Sequence, residues 1–475
     1  MSDLHHLSAV DQLALLTARE ITSVELTGHY LARIDEHDAD LGAFLTVDPE
    51  LALAEAERAD ARRTTPGAEL PPLLGLPVPI KDLSPTAGVR TTFGSAAFAD
   101  YVPPADSWTV GLIRSAGAVL LGKTNVPEFG PTCYTENDLV GPALSPYGIG
   151  RYASGSSGGA AAAVAGGLAP LAHGSDGAGS VRTPASACGL VGFKPSRGTV
   201  SQFPQVAFAA LGIEGPLARD LADAALLADV MAVPPSGELW PDPRPACAPT
   251  LSASLREAPT RALRVAWWTD PGVDGVEAHP AVVDAVATAA AELGVLGHAV
   301  SEIPCPVPMD ERVIDALVMR FASAIANAAT MVPPDRHALL RPLSHWFLDR
   351  ARTSSAADAA AAEAVMAAYG AMSLVALADY DVVLCPTASG PPVPVGWFSE
   401  GGLDDEPRRM IGWSSGTPFA NITGYGALSL PLAWTRDGLP IGVQLAMAPG
   451  RDHELFAVAA SLMTAASPRP LPPMF

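Results

Sequence analysis

Two turns rich in serine and glycine, separated by a run of alanines, constrain this chain more than any other feature. The turns are 155–159 and 174–180, and the alanine-rich run, which includes Val164, is 160–165. Small residues of high helix propensity directly after such a turn predict a helix whose first N–H groups face the turn. Glycines in the second turn allow backbone N–H groups to point into one concavity, which suits an oxyanion. Either turn alone would also be typical of an ordinary α/β loop.

A lone lysine at the end of a short apolar segment is the second constraint. Residues 76–82 read LPVPIKD, so Lys81 follows prolines and aliphatic side chains. Lysine is seldom buried without a partner or a function. Burial would lower the pKa of its ammonium group and allow it to act as a base near neutral pH. The plain alternative is a surface lysine at a strand end, but its combination with the two turns favours a nucleophilic site.

These motifs, taken in order, resemble the amidase signature family. The resemblance covers about 13–219 and 380–455, and it rests mainly on the segments 77–82, 156–159, 174–182 and 184–195. Two departures are visible in the second turn. The family's usual Thr-Asp is Ser175-Asp176 here, and its usual Gly-Gly before the nucleophile is Ala178-Gly179. Both changes are small enough to keep a backbone oxyanion site.

The resemblance implies an α/β fold in which a large, mixed, twisted β-sheet is sandwiched by helices on both faces. We expect a single amidase domain over 1–475. Its signature core would span about 75–220, a variable helical segment about 230–378, and a C-terminal return to the sheet about 379–460. The function implied is hydrolysis of amide C–N bonds other than peptide bonds, extending to anilide, ester or carbamate (urethane) bonds.

The resemblance also assigns a Ser-cisSer-Lys triad by motif position. Ser180 would attack the carbonyl carbon, Ser156 would relay the proton, and Lys81 would be the base that activates the serine hydroxyl. The peptide bond between Gly155 and Ser156 is expected to be cis. The product of the first step would be an acyl-enzyme on Ser180.

Two further groups of site residues are expected. Backbone N–H groups at Gly177, Ala178 and Gly179 would stabilise the oxyanion of the tetrahedral intermediate. A second group of small or apolar residues is expected to line the substrate cleft. These candidate wall residues are Pro131, Thr132, Cys133, Phe203 and Phe208.

Charge and cysteine content restrict the partners. The chain carries 29 Lys and Arg against 50 Asp and Glu, a net charge of −21, which disfavours nucleic acid and anionic membranes. Five cysteines without paired spacing indicate a reducing compartment. No signal peptide, membrane-length apolar run or metal-ligand cluster is recognisable, so we expect a cytoplasmic enzyme without metal or cofactor, acting on a small-molecule amide or carbamate as a monomer or homodimer.

Three alternatives remain open. The tRNA-dependent amidotransferases have a catalytic component that shares the signature, although its glutamine-site motifs are not recognisable here. A nucleotide-binding protein is suggested by residues 117–124, which fit the phosphate-loop pattern G-x-x-x-x-G-K-T. Against this, the intervening residues are apolar and read as a strand. The third alternative is a binding protein on the same fold without catalytic activity.

Overall fold

Residues 3–203, 211–257, 259, 261–465 and 470–472 are described by this computed structural model. The helices are α1 (Ala9–Ala18), α2 (Ser23–Leu41), α3 (Pro49–Thr64), α4 (Trp108–Ser115), α5 (Gly158–Ala165), α6 (Arg182–Ala187), α7 (Leu221–Met231), α8 (Leu251–Ser254), α9 (Pro280–Val295), α10 (Glu311–Ala329), α11 (Pro342–Thr353), α12 (Ala356–Leu377), α13 (Glu406–Trp413), α14 (Pro418–Thr423) and α15 (Asp452–Ala465). The strands are β1 (Phe44–Val47), β2 (Pro77–Lys81), β3 (Val119–Thr124), β4 (Glu136–Asn137), β5 (Gly141–Pro142), β6 (Leu171–Asp176), β7 (Val191–Lys194), β8 (Ile213–Ala218), β9 (Arg264–Trp267), β10 (Ala299–Glu302), β11 (Val382–Pro386), β12 (Gly426–Trp434) and β13 (Pro440–Met447).

Eight of these strands form one mixed sheet in the order β10-β9-β11-β13-β12-β7-β8-β6. The neighbours β10, β9 and β11 are parallel. The remaining neighbouring pairs are antiparallel. The strands on either side of 230–378 therefore meet in one sheet, and the segment itself adds β9 and β10 to its edge. The predicted α/β class with a large mixed sheet is confirmed.

The core clusters to which successive strand residues belong place helices on both faces of this sheet. In β11, Val382 and Leu384 belong to one core cluster, whereas Val383 and Cys385 belong to another. Successive side chains of a strand point to opposite faces, so the two clusters lie on opposite sides. The first cluster also contains apolar residues of α7, α9 and α15, and the second contains those of α10, α11 and α12. The sheet is thus covered on both faces.

A separate three-stranded sheet, in the order β1-β3-β2, carries the lysine of the predicted site. β2 is parallel to β3, with Lys81 opposite Thr124. β2 also packs against β6, the edge strand of the large sheet. This contact brings the end of β2 next to the turn that follows β6.

The alanine run forms α5, as predicted, and every residue of this helix is buried. Its small side chains allow it to lie against β6 and β8 of the large sheet. On another side α5 meets the residues next to the small sheet: an added Cβ at Gly159 would lie 2.2 Å from the Asn125 nitrogen and 2.5 Å from the Ala43 carbonyl oxygen. A side chain at this position is therefore excluded by backbone contacts.

The phosphate-loop interpretation of 117–124 is wrong. Its Gly-Lys-Thr residues lie inside β3 rather than in an exposed loop, and the strand is buried throughout. The Lys123 amino group donates hydrogen bonds to the Ser84 carbonyl oxygen (2.7 Å) and to the hydroxyls of Thr86 (3.0 Å) and Thr91 (2.8 Å). Since protein groups surround this amine, it is not presented to a nucleotide.

The expectation that no segment reaches membrane-spanning length needs one correction. Among the described residues, one helix, α12, is long and apolar enough to cross a membrane, and 28% of its most apolar window is buried. Alanines dominate this helix, so it reaches the required hydropathy without bulky side chains. It packs against α10 and α14. One such helix is weak evidence for a membrane span.

Candidate active site

Lys81 lies at the end of β2 with its amino group held by the first serine turn. Its Nζ is 2.8 Å from Ser156 Oγ, 2.7 Å from Ser157 Oγ and 3.0 Å from the Ser175 carbonyl oxygen. The side chain is completely buried. The amine therefore contacts two adjacent hydroxyls, of which only Ser156 was expected from the sequence.

Burial lowers the pKa of Lys81 from 10.5 to about 7, and the negative charges of Asp176 and Glu214 oppose this shift. An amine with such a pKa is substantially uncharged near neutral pH and can accept a proton. Glu214 is itself fixed by Ser84, whose hydroxyl donates to Oε1 (2.6 Å), and lies 3.3 Å from His173 Nε2. The surroundings of Lys81 thus satisfy the requirement for a lysine base.

The two serine turns are joined to each other. The Gly155–Ser156 peptide bond is cis, as the family resemblance implied. The backbone N–H of the next residue, Ser157, donates to the Ser180 carbonyl oxygen (3.1 Å). Ser180 is half-buried, and its hydroxyl makes no hydrogen bond with any residue that the structure describes. The three residues of the predicted triad therefore lie in one connected cluster, with the Ser180 hydroxyl left available.

Asp176 holds the turn that precedes Ser180. Its carboxylate accepts hydrogen bonds from the backbone N–H groups of Gly179 (2.7 Å) and Val181 (3.1 Å) and from Arg182 Nε (3.0 Å). Burial by itself would raise the pKa of Asp176, but the charge and hydrogen bonds of Arg182, with Asn421, hold it below its usual range. The carboxylate is therefore ionised and fixes the shape of the turn.

Arg182 ties the same turn to the C-terminal part of the chain. Its guanidinium is fully buried and donates to the Thr417 carbonyl oxygen (2.8 Å), Gln444 Oε1 (2.7 Å) and Asn421 Oδ1 (2.5 Å). A planar group with five donors suits such a junction. Arg182 thus has a structural role in the turn rather than a position facing the cleft.

The expected oxyanion donors need one correction. The Gly179 N–H is committed to Asp176, so it does not point towards the substrate. The N–H groups of Gly177 and Ala178 donate to no other group in the described part of the chain and remain candidates. Gly179 has another role, since its φ is +130° and an added Cβ would lie 2.2 Å from Thr417 Oγ1. The glycine is needed for the conformation of the turn.

Ser180 opens onto a narrow cavity whose lining is uncharged. Three of the predicted wall residues, Pro131, Thr132 and Cys133, line it, and none of its seventeen described lining residues is Asp, Glu, Lys, Arg or His. Phe203 is not among them, and its side chain is 59% exposed. Phe208 lies outside the described residues. Burial raises the pKa of the Cys133 thiol well above its usual value, so this cysteine is a wall rather than a nucleophile.

Sequence reasoning did not identify the individual apolar residues that form the other walls of this cavity. They come from helices α10, α11 and α13, and they are Leu317, Val318, Phe321, Phe347, Met410 and Ile411. The available signal was the apolar periodicity of α10, which marks an inward face but not the cavity that this face meets. The variable segment therefore contributes walls to the space beside Ser180.

No group of three or more His, Cys, Asp or Glu side chains that could hold a metal occurs among the described residues.

Comparisons with known proteins agree with this geometry. The family described as Amidase matches residues 25–456. A glutamyl-tRNA(Gln) amidotransferase chain from Acidothermus cellulolyticus is 34% identical, over 98% of this chain and 95% of that protein. An acylamidase from Rhodococcus erythropolis is 32% identical, over 97% of this chain and 95% of that protein. The structure of 6-aminohexanoate cyclic dimer hydrolase complexed with substrate matches with a TM-score of 0.90 and 29% identity, over 99% of both chains. The chain belongs to the amidase signature family.

Proposed function

We propose that this protein hydrolyses small, neutral amides through a Ser-cisSer-Lys triad and an acyl-enzyme. The observation that carries the proposal is the uncharged cavity beside Ser180, together with the buried Lys81 that contacts Ser156. Anilides, aliphatic amides, esters and carbamates each present a carbonyl carbon and a leaving group that can take a proton. The cyclic aminohexanoate dimer, which carries no charge, belongs to the same class of substrates.

In the proposed mechanism, neutral Lys81 takes a proton from Ser156 while Ser156 takes one from Ser180. The Ser180 oxygen attacks the carbonyl carbon, and the N–H groups of Gly177 and Ala178 bind the oxyanion that forms. Each such donor typically accelerates the reaction about 100-fold or more. The C–N bond then breaks as Ser156 returns the proton to the leaving amine. Water attacks the acyl-Ser180 ester by the same route and releases the carboxylic acid. A carbamate instead loses its alcohol by C–O cleavage as Ser156 protonates the leaving oxygen, and water then releases a carbamic acid from carbamoyl-Ser180.

The catalytic chain of a tRNA-dependent amidotransferase is the second candidate, because one such protein is 34% identical over nearly the whole chain. Glutamine, however, carries an ammonium and a carboxylate close to its amide group. Charged groups in a desolvated site need charged or hydrogen-bonding partners. The lining beside Ser180 offers no charged side chain among its described residues. The net charge of −21 gives no support for a tRNA-bound assembly either.

A substrate panel tests this choice. Neutral anilides, dicarbamates, the cyclic aminohexanoate dimer and glutamine are compared by kcat/KM, with Ser180→Ala as the blank. We expect at least one neutral member to be hydrolysed far faster than glutamine. Turnover of glutamine orders of magnitude faster than every neutral member would contradict the proposal.

We further propose that this is a cytoplasmic enzyme without a cofactor and that it acts on its small-molecule substrate as a monomer or homodimer. Sedimentation of the purified protein tests the oligomeric state.

A further inference from the structure

A second cavity lies beside the catalytic one and has the opposite character. Its volume is about 180 Å³, and it shares Pro131 and Thr132 with the cavity at Ser180. The start of α13 also separates the two spaces, since Glu406 lines the second cavity and the next residue, Pro407, lines the first. The two spaces are therefore neighbours, with Pro131, Thr132 and the start of α13 between them.

The charged residues that line this second cavity are predominantly acidic. Glu128, Glu136 and Glu406 line it, with Arg341 as the single cation among its described lining residues. That arginine is already paired, with Nη2 2.9 Å from Glu136 and Nε 3.2 Å from Asp138. Its positive charge is therefore balanced by Glu136 and Asp138, and the glutamates that line the cavity outnumber its single arginine.

Two of the three carboxylates are satisfied by the protein. Glu128 accepts hydrogen bonds from the hydroxyls of Ser95 (2.7 Å) and Ser344 (2.5 Å). Glu136 accepts from Arg341 and, at its other oxygen, from the Tyr152 hydroxyl (2.6 Å). Both oxygens of each group thus have a donor, and neither group needs a ligand.

Glu406 differs from both. Its residue is only 2% exposed, and its Oε1 accepts a hydrogen bond from the Tyr134 hydroxyl (2.5 Å). No residue in the described ranges donates to its Oε2, although the side chain lines the cavity. Because Oε2 is accessible although its residue is buried, it can accept a hydrogen bond from an N–H group bound in the cavity.

We propose that this second cavity binds the protonated amine at the far end of a substrate whose scissile amide lies at Ser180. The ammonium group would donate to Glu406 Oε2. The inference rests on the proposed amide hydrolysis and changes one part of it: the groups beside the scissile bond at Ser180 stay uncharged, and the far end of the substrate carries a primary ammonium group. Glutamine does not belong to this class because its carboxylate would be brought towards the same acidic cavity.

The test uses matched pairs of chromogenic substrates. Anilides of ω-amino acids of increasing chain length are compared with anilides in which a methyl group replaces the ammonium group. Amides of diamines, acylated at one end, place the charge on the other side of the scissile bond. At one chain length in one series, we expect the charged member to have a kcat/KM about tenfold or more higher, since hydrogen bonds to charged groups are of this strength. A ratio at or below one at every length in both series would overturn the proposal.

The variant Glu406→Gln removes the charge and keeps the shape. We expect it to lower the charged-to-neutral ratio about tenfold, whereas a purely structural role would lower both rates and leave the ratio unchanged. Glu302→Gln, an exposed glutamate on β10, is the matched control and should leave the ratio unaltered. If Glu406→Gln does not fold, the proposal is tested instead by inhibition of the wild-type enzyme. A linear alkylammonium ion should inhibit hydrolysis of a neutral anilide better than the alcohol of the same length, and equal inhibition would overturn the proposal.

The two proposals fail in different ways. If the wild-type protein hydrolyses neither the neutral nor the charged anilides, amide hydrolysis itself is wrong. If neutral anilides are hydrolysed but the charged-to-neutral ratio stays at one, only the ammonium site is wrong.

Discussion

The backbone N–H of Ser157 donates a hydrogen bond to the carbonyl oxygen of Ser180, with 3.1 Å between nitrogen and oxygen. This bond fixes the turn that carries the cis peptide against the turn that carries the candidate nucleophile. Lys81 contacts the hydroxyls of Ser156 and Ser157 in the first turn. The lysine and the backbones of the two turns are therefore positioned relative to one another without substrate. Preorganisation of this kind lowers the cost of reaching the transition state.

Replacement of the candidate nucleophile should abolish hydrolysis. Ser180→Ala removes the attacking oxygen, and we expect kcat on a chromogenic anilide to fall about a thousandfold or more. The side chain is half-buried and its hydroxyl makes no hydrogen bond with the described residues, so the thermal midpoint should change little. Full activity in this variant would refute the assignment of the triad.

The activity should depend on pH through Lys81. The lysine must be uncharged to accept a proton, and burial lowers its pKa to about 7. Below that pH the ammonium form dominates and kcat/KM should fall about tenfold per pH unit, whereas above it the rate should level off. Lys81→Ala should lower kcat by about two to four orders of magnitude. A flat profile from about pH 5 to 9, with chemistry rate-limiting, is incompatible with a lysine base.

The turn before the nucleophile should not tolerate a side chain at Gly179. Alanine there would place Cβ 2.2 Å from Thr417 Oγ1 at a φ of +130°. We expect Gly179→Ala to lower the free energy of unfolding by about 1–3 kcal/mol and to lower kcat as the donors at Gly177 and Ala178 shift. Chemical denaturation and anilide kinetics measure both effects.

The matched control for this substitution is Gly111 in α4, where an added Cβ has no neighbour within 4 Å. Gly111→Ala should keep full activity and stability, because alanine is the better helix former. Equal behaviour of the two variants would mean that the geometry of the Gly179 turn does not matter.

The apolar wall from α10 should set the size of the accepted substrate. Leu317 is 1% exposed and lines the cavity at Ser180. We expect Leu317→Ala to raise the kcat/KM ratio of bulky to small acyl anilides about tenfold, and to destabilise the protein by about 2–5 kcal/mol. Leu16→Ala, in the core at α1, carries a similar stability loss and should leave that ratio unchanged. A change of the same size in both variants would show that the ratio reports destabilisation.

The sequence motifs predicted the fold and the cluster of Lys81 with the two serine turns, because these depend on long, ordered local patterns. They could not show that Ser157 also contacts Lys81, since which of two adjacent hydroxyls faces a lysine depends on the backbone of the turn. They also could not show that the Gly179 N–H is bound by Asp176. The orientation of an N–H group is set by tertiary partners that sequence spacing does not report.

The cavity walls were predicted only in part, for a different reason. Pro131, Thr132 and Cys133 lie within the recognisable signature, whereas Leu317 and Phe347 come from the segment that resembles no motif. Apolar periodicity in α10 indicates that one face is buried, but the position of the helix depends on packing against α11 and α12. Residues 117–124 show the opposite case, in which a local feature was sufficient. Their apolar character correctly indicated a strand, although they also fit the phosphate-loop pattern.

The contacts of Arg182 have a consequence for how this enzyme is made. The ribosome synthesises the two serine turns before it reaches Thr417, Asn421 and Gln444, the residues that receive the guanidinium. Until those residues have emerged, the buried cation lacks three of its acceptors and the turn lacks its support. We expect a nascent chain to remain inactive for most of its translation and to acquire its hydrolytic turn only when the last strands join the sheet.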